Sequence, residues 1–206
     1  MTALPAIALR PTRRLVTRAA LAVSLLGLAG AHVLPAAHAA LSAGAQAPTF
    51  TAEAALAGKP FTFDLAQALK EGPVVLYFYP AAFTQGCTIE AHLFAEATDT
   101  YKSMGATVIG VSGDDLETLK KFSVSACGGK FAVAADSDHS IMQNYDVAHA
   151  VLPGVANRVS FVISPEGKVL YQYASGDPSN HVKNTMEAVR AWHQGAHAPR
   201  NNPEKK

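Results

Sequence analysis

Cysteine is scarce in this chain. Its 206 residues include two, Cys87 and Cys127, and no Cys-x-x-Cys pair. Its absence argues against a zinc ribbon, a haem attachment site or an ordinary dithiol oxidoreductase. Two cysteines are also too few to scaffold a disulfide-held miniprotein. Charge is scarce as well: charged residues make up 16% and the net charge is +1. The chain therefore carries no basic footprint for nucleic acid and no polybasic membrane patch. There is no internal repeat. His139, His149, His181, His193 and His197 show no metal-ligand spacing with one another or with carboxylates. Cys127-Gly128-Gly129-Lys130 is too short for a phosphate loop. These absences leave no reason to expect a metal or an organic cofactor.

What is present begins with the N-terminus. Arg10, Arg13, Arg14 and Arg18 precede an almost uncharged apolar run over 19–35, and Ala37-His38-Ala39 supplies a small-x-small cleavage pattern. We read residues 1–39 as a signal peptide cleaved after Ala39. The run is short for a membrane span once Gly27, Gly30 and Pro35 are counted. An uncleaved anchor is the lesser alternative. Residues 12–18 resemble a twin-arginine signal faintly, and an ordinary secretory signal explains them almost as well. The expected destination is export, to the periplasm in a Gram-negative cell, with no stable membrane association afterwards. An oxidising compartment permits a Cys87–Cys127 bridge.

The remaining chain suits one domain over 40–194 and a polar tail over 195–206. A short alternating segment at 61–63 is followed by a short helix capped by Asp64. Apolar runs at 74–79, 106–111, 131–135 and 158–163 read as strands, the last with a hairpin partner over 168–173. Helices are expected over 88–104, 115–125, 138–145 and from Pro178 to about 192. Gly105 closes the first of these, and Asp114 with Glu117 has the spacing of a capping box for the second. Strands alternating with helices predict an α/β sandwich with a mixed central sheet.

The most informative stretch is Tyr77-Phe78-Tyr79-Pro80-Ala81-Ala82-Phe83-Thr84-Gln85-Gly86-Cys87. Pro80 ends a buried strand and Cys87 opens a helix. A sulfur at a helix start lies beside unpaired backbone N–H groups and the positive end of the dipole, both of which favour thiolate. Thr84 can bring a hydroxyl beside it. A free cysteine is otherwise most often a small buried hydrophobe.

The run Pro80-x-x-x-Thr84-x-x-Cys87 resembles the active-site motif of the peroxiredoxins, thiol peroxidases on a thioredoxin-like scaffold. Phe83-Thr84-Gln85-Gly86-Cys87-Thr88-Ile89-Glu90 looks closest to their Q-type (bacterioferritin-comigratory) branch. Gly44 and Ala47-Pro48-Thr49-Phe50 are similar to that family's N-terminal pattern, and the likeness covers about 41–192. The resemblance implies a thioredoxin-like three-layer sandwich. It implies that Cys87 attacks a hydroperoxide and becomes a sulfenic acid, and that Thr84 hydrogen-bonds the sulfur and the peroxide. Pro80 would shield the sulfur and Glu90 would order the loop. Arg158, which opens the strand Val159-Ser160-Phe161-Val162-Ile163, would lie against the thiolate.

One departure bears on the second half of the cycle. The commonest Q-type pattern has a resolving cysteine five residues after the first, and that position is His92 here. Cys127, beside Gly128-Gly129 at an expected mobile helix end, is the alternative. It implies an intrachain disulfide; an idle Cys127 would imply a one-cysteine cycle resolved by an external thiol. The expected reductant is thioredoxin-like or a small thiol, and the expected state is monomer or weak dimer. Two other readings stay open: an exported thiol–disulfide exchanger on the same fold, and a non-enzymatic domain with a structural Cys87–Cys127 disulfide.

Overall fold

A computed structural model describes residues 40–197. The export segment read over 1–39 and the end of the tail, 198–206, lie outside them. Seven strands and five helices follow in order: β1 (Thr51–Leu56), β2 (Lys59–Asp64), α1 (Leu65–Glu71), β3 (Val74–Phe78), α2 (Gln85–Ser103), β4 (Thr107–Ser112), α3 (Leu116–Ser125), β5 (Ala132–Ala135), α4 (Ser140–Asn144), β6 (Val159–Ile163), β7 (Val169–Ala174) and α5 (His181–His197). The strands form one sheet in the order β2-β1-β5-β4-β3-β6-β7. It is mixed, as expected: β3 pairs parallel with β4 and antiparallel with β6.

The centre of the sheet is dictated by β3. All five of its residues are buried, which only a strand covered on both faces allows. Its side chains alternate between two cores. Val74, Leu76 and Phe78 face a layer that includes Leu65 and Leu69 of α1 and Ile141 and Met142 of α4. Val75 and Tyr77 face the opposite layer, with Phe94 and Tyr101 of α2, Leu119 and Phe122 of α3, and Met186 and Val189 of α5. This makes the three layers of a thioredoxin-like sandwich. Cys87 belongs to the second layer.

Three local expectations need correction. The strand β1 was not anticipated, because Thr51-Ala52-Glu53-Ala54-Ala55-Leu56 is alanine-rich and alanine is depleted in strands. It forms because Ala57 and Gly58, at φ 49° and 78°, make a two-residue turn that brings β2 alongside it. The cap of α3 is Asp115, whose carboxylate accepts from the Thr118 amide at 2.7 Å. Asp114, the residue expected there, is employed elsewhere. Helix α5 runs to His197, past the helix end expected at about 192. Its start is preceded by a short 3-10 turn at Pro178–Asn180.

Candidate active site

The strand β3 delivers the chain to the site. Pairing continues one residue beyond it, since the Tyr79 amide donates to the Val111 carbonyl at 3.2 Å. Pro80 then interrupts the ladder, because it has no N–H to give. Residues 80–84 turn, with Phe83 in the left-handed region at φ 63° and half-exposed. Asp114, at the exit of β4, fixes this turn: its Oδ2 accepts from the Ala82 amide at 2.7 Å and from the Ser112 hydroxyl at 2.8 Å. Sequence reasoning gave Asp114 to a helix cap. The only visible signal for its actual role was an acidic residue at the exit of a core strand.

Helix α2 begins at Gln85, with the first α-type bond running from the Thr88 amide to the Thr84 carbonyl at 2.9 Å. The amides of Gln85, Gly86 and Cys87 precede that ladder, so the sulfur stands at the positive end of a 19-residue helix. Cys87 is buried, at 1% exposure. The Arg158 Nη2 donates to its Sγ at 3.4 Å.

Arg158 is itself almost buried and has no free edge. Its Nε donates to the Gly176 carbonyl at 3.2 Å and its Nη1 to Glu90 Oε2. A guanidinium offers its donors in a fixed planar fork, and here that fork is held at three corners. Attraction to Glu90 and to Cys87 raises the Arg158 pKa in spite of burial. Gly86 leaves the room: a Cβ at that position would stand 3.1 Å from Nη2.

Glu90 is fully buried one turn after Cys87. Burial pushes its carboxyl up to about 7, although Arg158 pulls the other way. Its Oε2 faces Arg158, while its Oε1 has no hydrogen-bond partner among the described residues and lies 3.5 Å from Nδ1 of His181. Sequence reasoning set His181 aside for lack of metal-ligand spacing. Nothing in one sequence shows that the first residue of α5 returns to the start of α2.

The sequence-derived residues are thus brought together in part. Cys87, Glu90 and Arg158 form one connected group. Pro80 is half-buried in the loop above it. Thr84 makes a different bond from the one expected: its hydroxyl donates to the Ala81 carbonyl at 3.0 Å rather than to the sulfur. With extended backbone at the cap (ψ 151°), the side chain folds back across its own turn.

Cys127 stands just beyond the end of α3, where the sequence puts it. It is fully buried there, and its carbonyl accepts from the Lys130 amide at 3.0 Å. Burial pushes its thiol up to about 12. Both cysteines are free thiols. They share one core layer with Tyr77 and Tyr79, whose phenols are raised chiefly by burial and further by charge at either sulfur. Among the described residues no group of three or more His, Cys, Asp or Glu is placed to hold a metal ion.

A buried thiol at a helix start, faced by a pinned guanidinium on a thioredoxin-like sheet, is the arrangement of a thiol peroxidase. Residues 43–172 match the AhpC/TSA family. The chain is 34% identical over 167 residues to YkuU of Bacillus subtilis, spanning 77% of this chain and 92% of that protein. It is 34% identical over 122 residues to chloroplastic peroxiredoxin Q of Triticum aestivum, spanning 59% of this chain and 56% of that protein. In the latter case the chain covers just over half of its relative's length. The crystal structure of the peroxidoxin BcpB from Mycobacterium tuberculosis superposes with a TM-score of 0.67 at 27% identity, over 73% of this chain and 97% of that one. The chain belongs to the AhpC/TSA family and, within it, to the Q-type peroxiredoxins.

Proposed function

We propose that this protein reduces hydroperoxides through Cys87, and that the observation carrying this reading is the Arg158 guanidinium 3.4 Å from a sulfur at the start of α2. The thiolate attacks one peroxide oxygen. An S–O bond forms as the O–O bond breaks, sulfur loses two electrons, and the departing oxygen takes a proton to leave as water or an alcohol. Charge on that oxygen and on the sulfur is met by Arg158 and by the free amides of α2. Thr84, which is exposed, offers its oxygen lone pairs to the peroxide hydrogen while its own hydroxyl donates to the Ala81 carbonyl. Pro80 shields the sulfur from bulk water.

The sulfenic acid is then resolved by Cys127. Its sulfur attacks the sulfenic sulfur, an S–S bond forms and water leaves. A thioredoxin-like dithiol or a small thiol returns two electrons. What supports Cys127 is its place in the same core layer and the pair Gly128-Gly129 after it, both at positive φ (56° and 67°), where the chain can unwind. Its burial means that the end of α3 must open first. We further infer export, on the strength of the basic and then apolar residues over 1–39, and a monomer or weak dimer.

The test is the intact mass of the reduced protein after one equivalent of hydrogen peroxide, followed by peptide mapping. Loss of two hydrogens with Cys87 joined to Cys127 is the expected result. One added oxygen on Cys87 with Cys127 still reduced would replace this with a one-cysteine cycle. Absence of any change at Cys87 would remove the peroxidase mechanism.

A further inference from the structure

His181 is the first residue of α5, fully buried, and its ring is hydrogen-bonded on both edges. Nε2 lies 3.1 Å from the Ser175 carbonyl, which can only accept, so Nε2 carries a proton. In the neutral ring Nδ1 is then a lone pair. The Ser160 hydroxyl, 2.8 Å away, donates to it. The same Nδ1 faces Glu90 Oε1 at 3.5 Å, and that buried oxygen has no hydrogen-bond partner among the described residues. The other carboxylate oxygen holds Arg158, and Arg158 reaches Cys87. A continuous line therefore runs from the sulfur to the ring.

We propose that His181 is a positioning residue for peroxide reduction: it faces the free oxygen of Glu90, shares one proton with it, and so determines how much of the Arg158 charge is left for the Cys87 sulfur. This rests on the reading of Cys87 as the attacking sulfur. With the proton in the pair, Arg158 faces a single anion, the thiolate. Without it, a thiolate and a carboxylate compete for one guanidinium in a buried space. Burial favours the first state on the acid side of neutrality, pushing Glu90 up to about 7 and His181 down to about 4. The charged and titratable groups around the pair are Arg158 before β6, Cys87 on α2, Tyr77 on β3, Tyr173 on β7 with its ring 4.8 Å from that of His181, and Asp177 in the turn before α5.

The test is the rate of single-turnover peroxide consumption by the reduced protein as a function of pH. Wild type is expected to show an alkaline limb in which the rate falls as the pair loses its proton, and Glu90→Gln to lack that limb. In His181→Phe the protonated carboxyl loses its acceptor, so the limb moves to lower pH by about half to one unit, the equivalent of one net hydrogen bond. In Ser160→Ala the Nδ1 lone pair is left to Glu90 alone, and the limb moves to higher pH. If His181→Phe does not fold, the Ser160→Ala shift decides. A wild-type profile without the limb, a limb retained in Glu90→Gln, or variants superimposing on wild type would overturn the proposal. Absence of sulfenate on Cys87 in wild type would instead overturn the peroxidase mechanism itself.

Discussion

The Arg158 guanidinium and the Glu90 carboxylate are paired inside the protein, with side chains 7% and 0% exposed, and the arginine extends past the pair to the Cys87 sulfur at 3.4 Å. Removing one partner of a buried pair leaves the other charge uncompensated, which commonly costs 3–5 kcal/mol. Glu90 lessens that penalty by taking a proton. Arg158→Ala is therefore expected to fold with reduced stability, and to slow sulfenate formation by about 100-fold or more, the scale of losing one preorganised charged donor. Arg158→Lys should rescue little, since a point charge cannot hold Gly176, Glu90 and Cys87 at once. Single-turnover peroxide consumption compared with thermal unfolding checks both halves.

Gly86 separates activity from stability. A Cβ there would lie 3.1 Å from Nη2 of Arg158. An arginine free at its tip would yield, but this one is held at Nε and Nη1 as well. Gly86 has ordinary helical backbone, and alanine is favoured over glycine in a helix by up to about 1 kcal/mol. Gly86→Ala is thus expected to keep or raise the melting temperature while lowering the rate of sulfenate formation about tenfold. A rate equal to wild type would mean that the position of Arg158 is not critical to within a few tenths of an ångström.

Much of this architecture was legible in the sequence, for identifiable reasons. The strand β3 is a continuous apolar run ended by proline, and α2 has helical spacing ended by glycine. Cys87 and Arg158 each stand at an element boundary, where a reactive thiol and an unexpected charge are both visible. Glu90 was legible only through the family resemblance. The contribution of His181 and Ser160 depends on α5 packing back against α2 and β6, a long-range relation that local pattern does not carry. Thr84 and Asp114 show the limit at short range. Both are cap-type residues, and which nearby donor or acceptor each meets depends on backbone angles that composition leaves undetermined. Cys127 was legible as a residue at a helix end before two glycines, whereas its complete burial depends on how α3 packs on the sheet, which local pattern does not carry.

Asp114 supplies a third prediction. Its carboxylate joins the turn carrying Pro80 and Thr84 to the end of β4 through Ala82 and Ser112. Hydrogen bonds to a charged group contribute about 1.5–3 kcal/mol. Asp114→Ala should therefore destabilise the fold by about 2 kcal/mol and loosen the turn, so that amide exchange at Ala82 accelerates. Asp114→Asn keeps an acceptor and should lose about half as much. Unchanged exchange at Ala82 in the alanine variant would show that the turn is held by other contacts.

Gly110 predicts a packing effect at the same core layer. It lies opposite Tyr77 in the parallel register of β3 and β4, and a Cβ on it would approach the Tyr77 ring to 2.8 Å. That ring is stacked on Phe94 at a centroid distance of 4.4 Å and cannot retreat without displacing it. Gly110→Ala is expected to cost about 1–3 kcal/mol, the range for overpacking a close-packed interior. Chemical denaturation measures it. A neutral result would mean that the aromatic packing in the core layer shared by the two cysteines can relax, which would also ease the approach of Cys127 to Cys87.

The final prediction concerns stability against pH and follows from the opposite shifts of Glu90 and His181. Glu90 is raised from 4.5 to about 7 by burial, with Arg158 opposing. Its contribution to stability is fully present below its unfolded value and is lost as pH rises through about 7. His181 is lowered from 6.5 to about 4, chiefly by burial and also by the nearby Arg158. Its contribution is present above 6.5 and is lost as pH falls through about 4. Between pH 4.5 and 6.5 the two slopes oppose each other. Folding in that window leaves the number of bound protons unchanged and moves one from His181 to Glu90. Wild type should therefore owe little pH dependence to this pair. Glu90→Gln should lose stability relative to wild type as pH falls from 6.5 toward 4, and His181→Asn should lose it as pH rises from 4.5 to 7. Each difference is expected to reach about 2–3 kcal/mol across its window. Denaturant unfolding of the three proteins at half-unit pH steps measures these differences, and slopes of the same sign in the two variants would show that the proton does not move between these residues on folding.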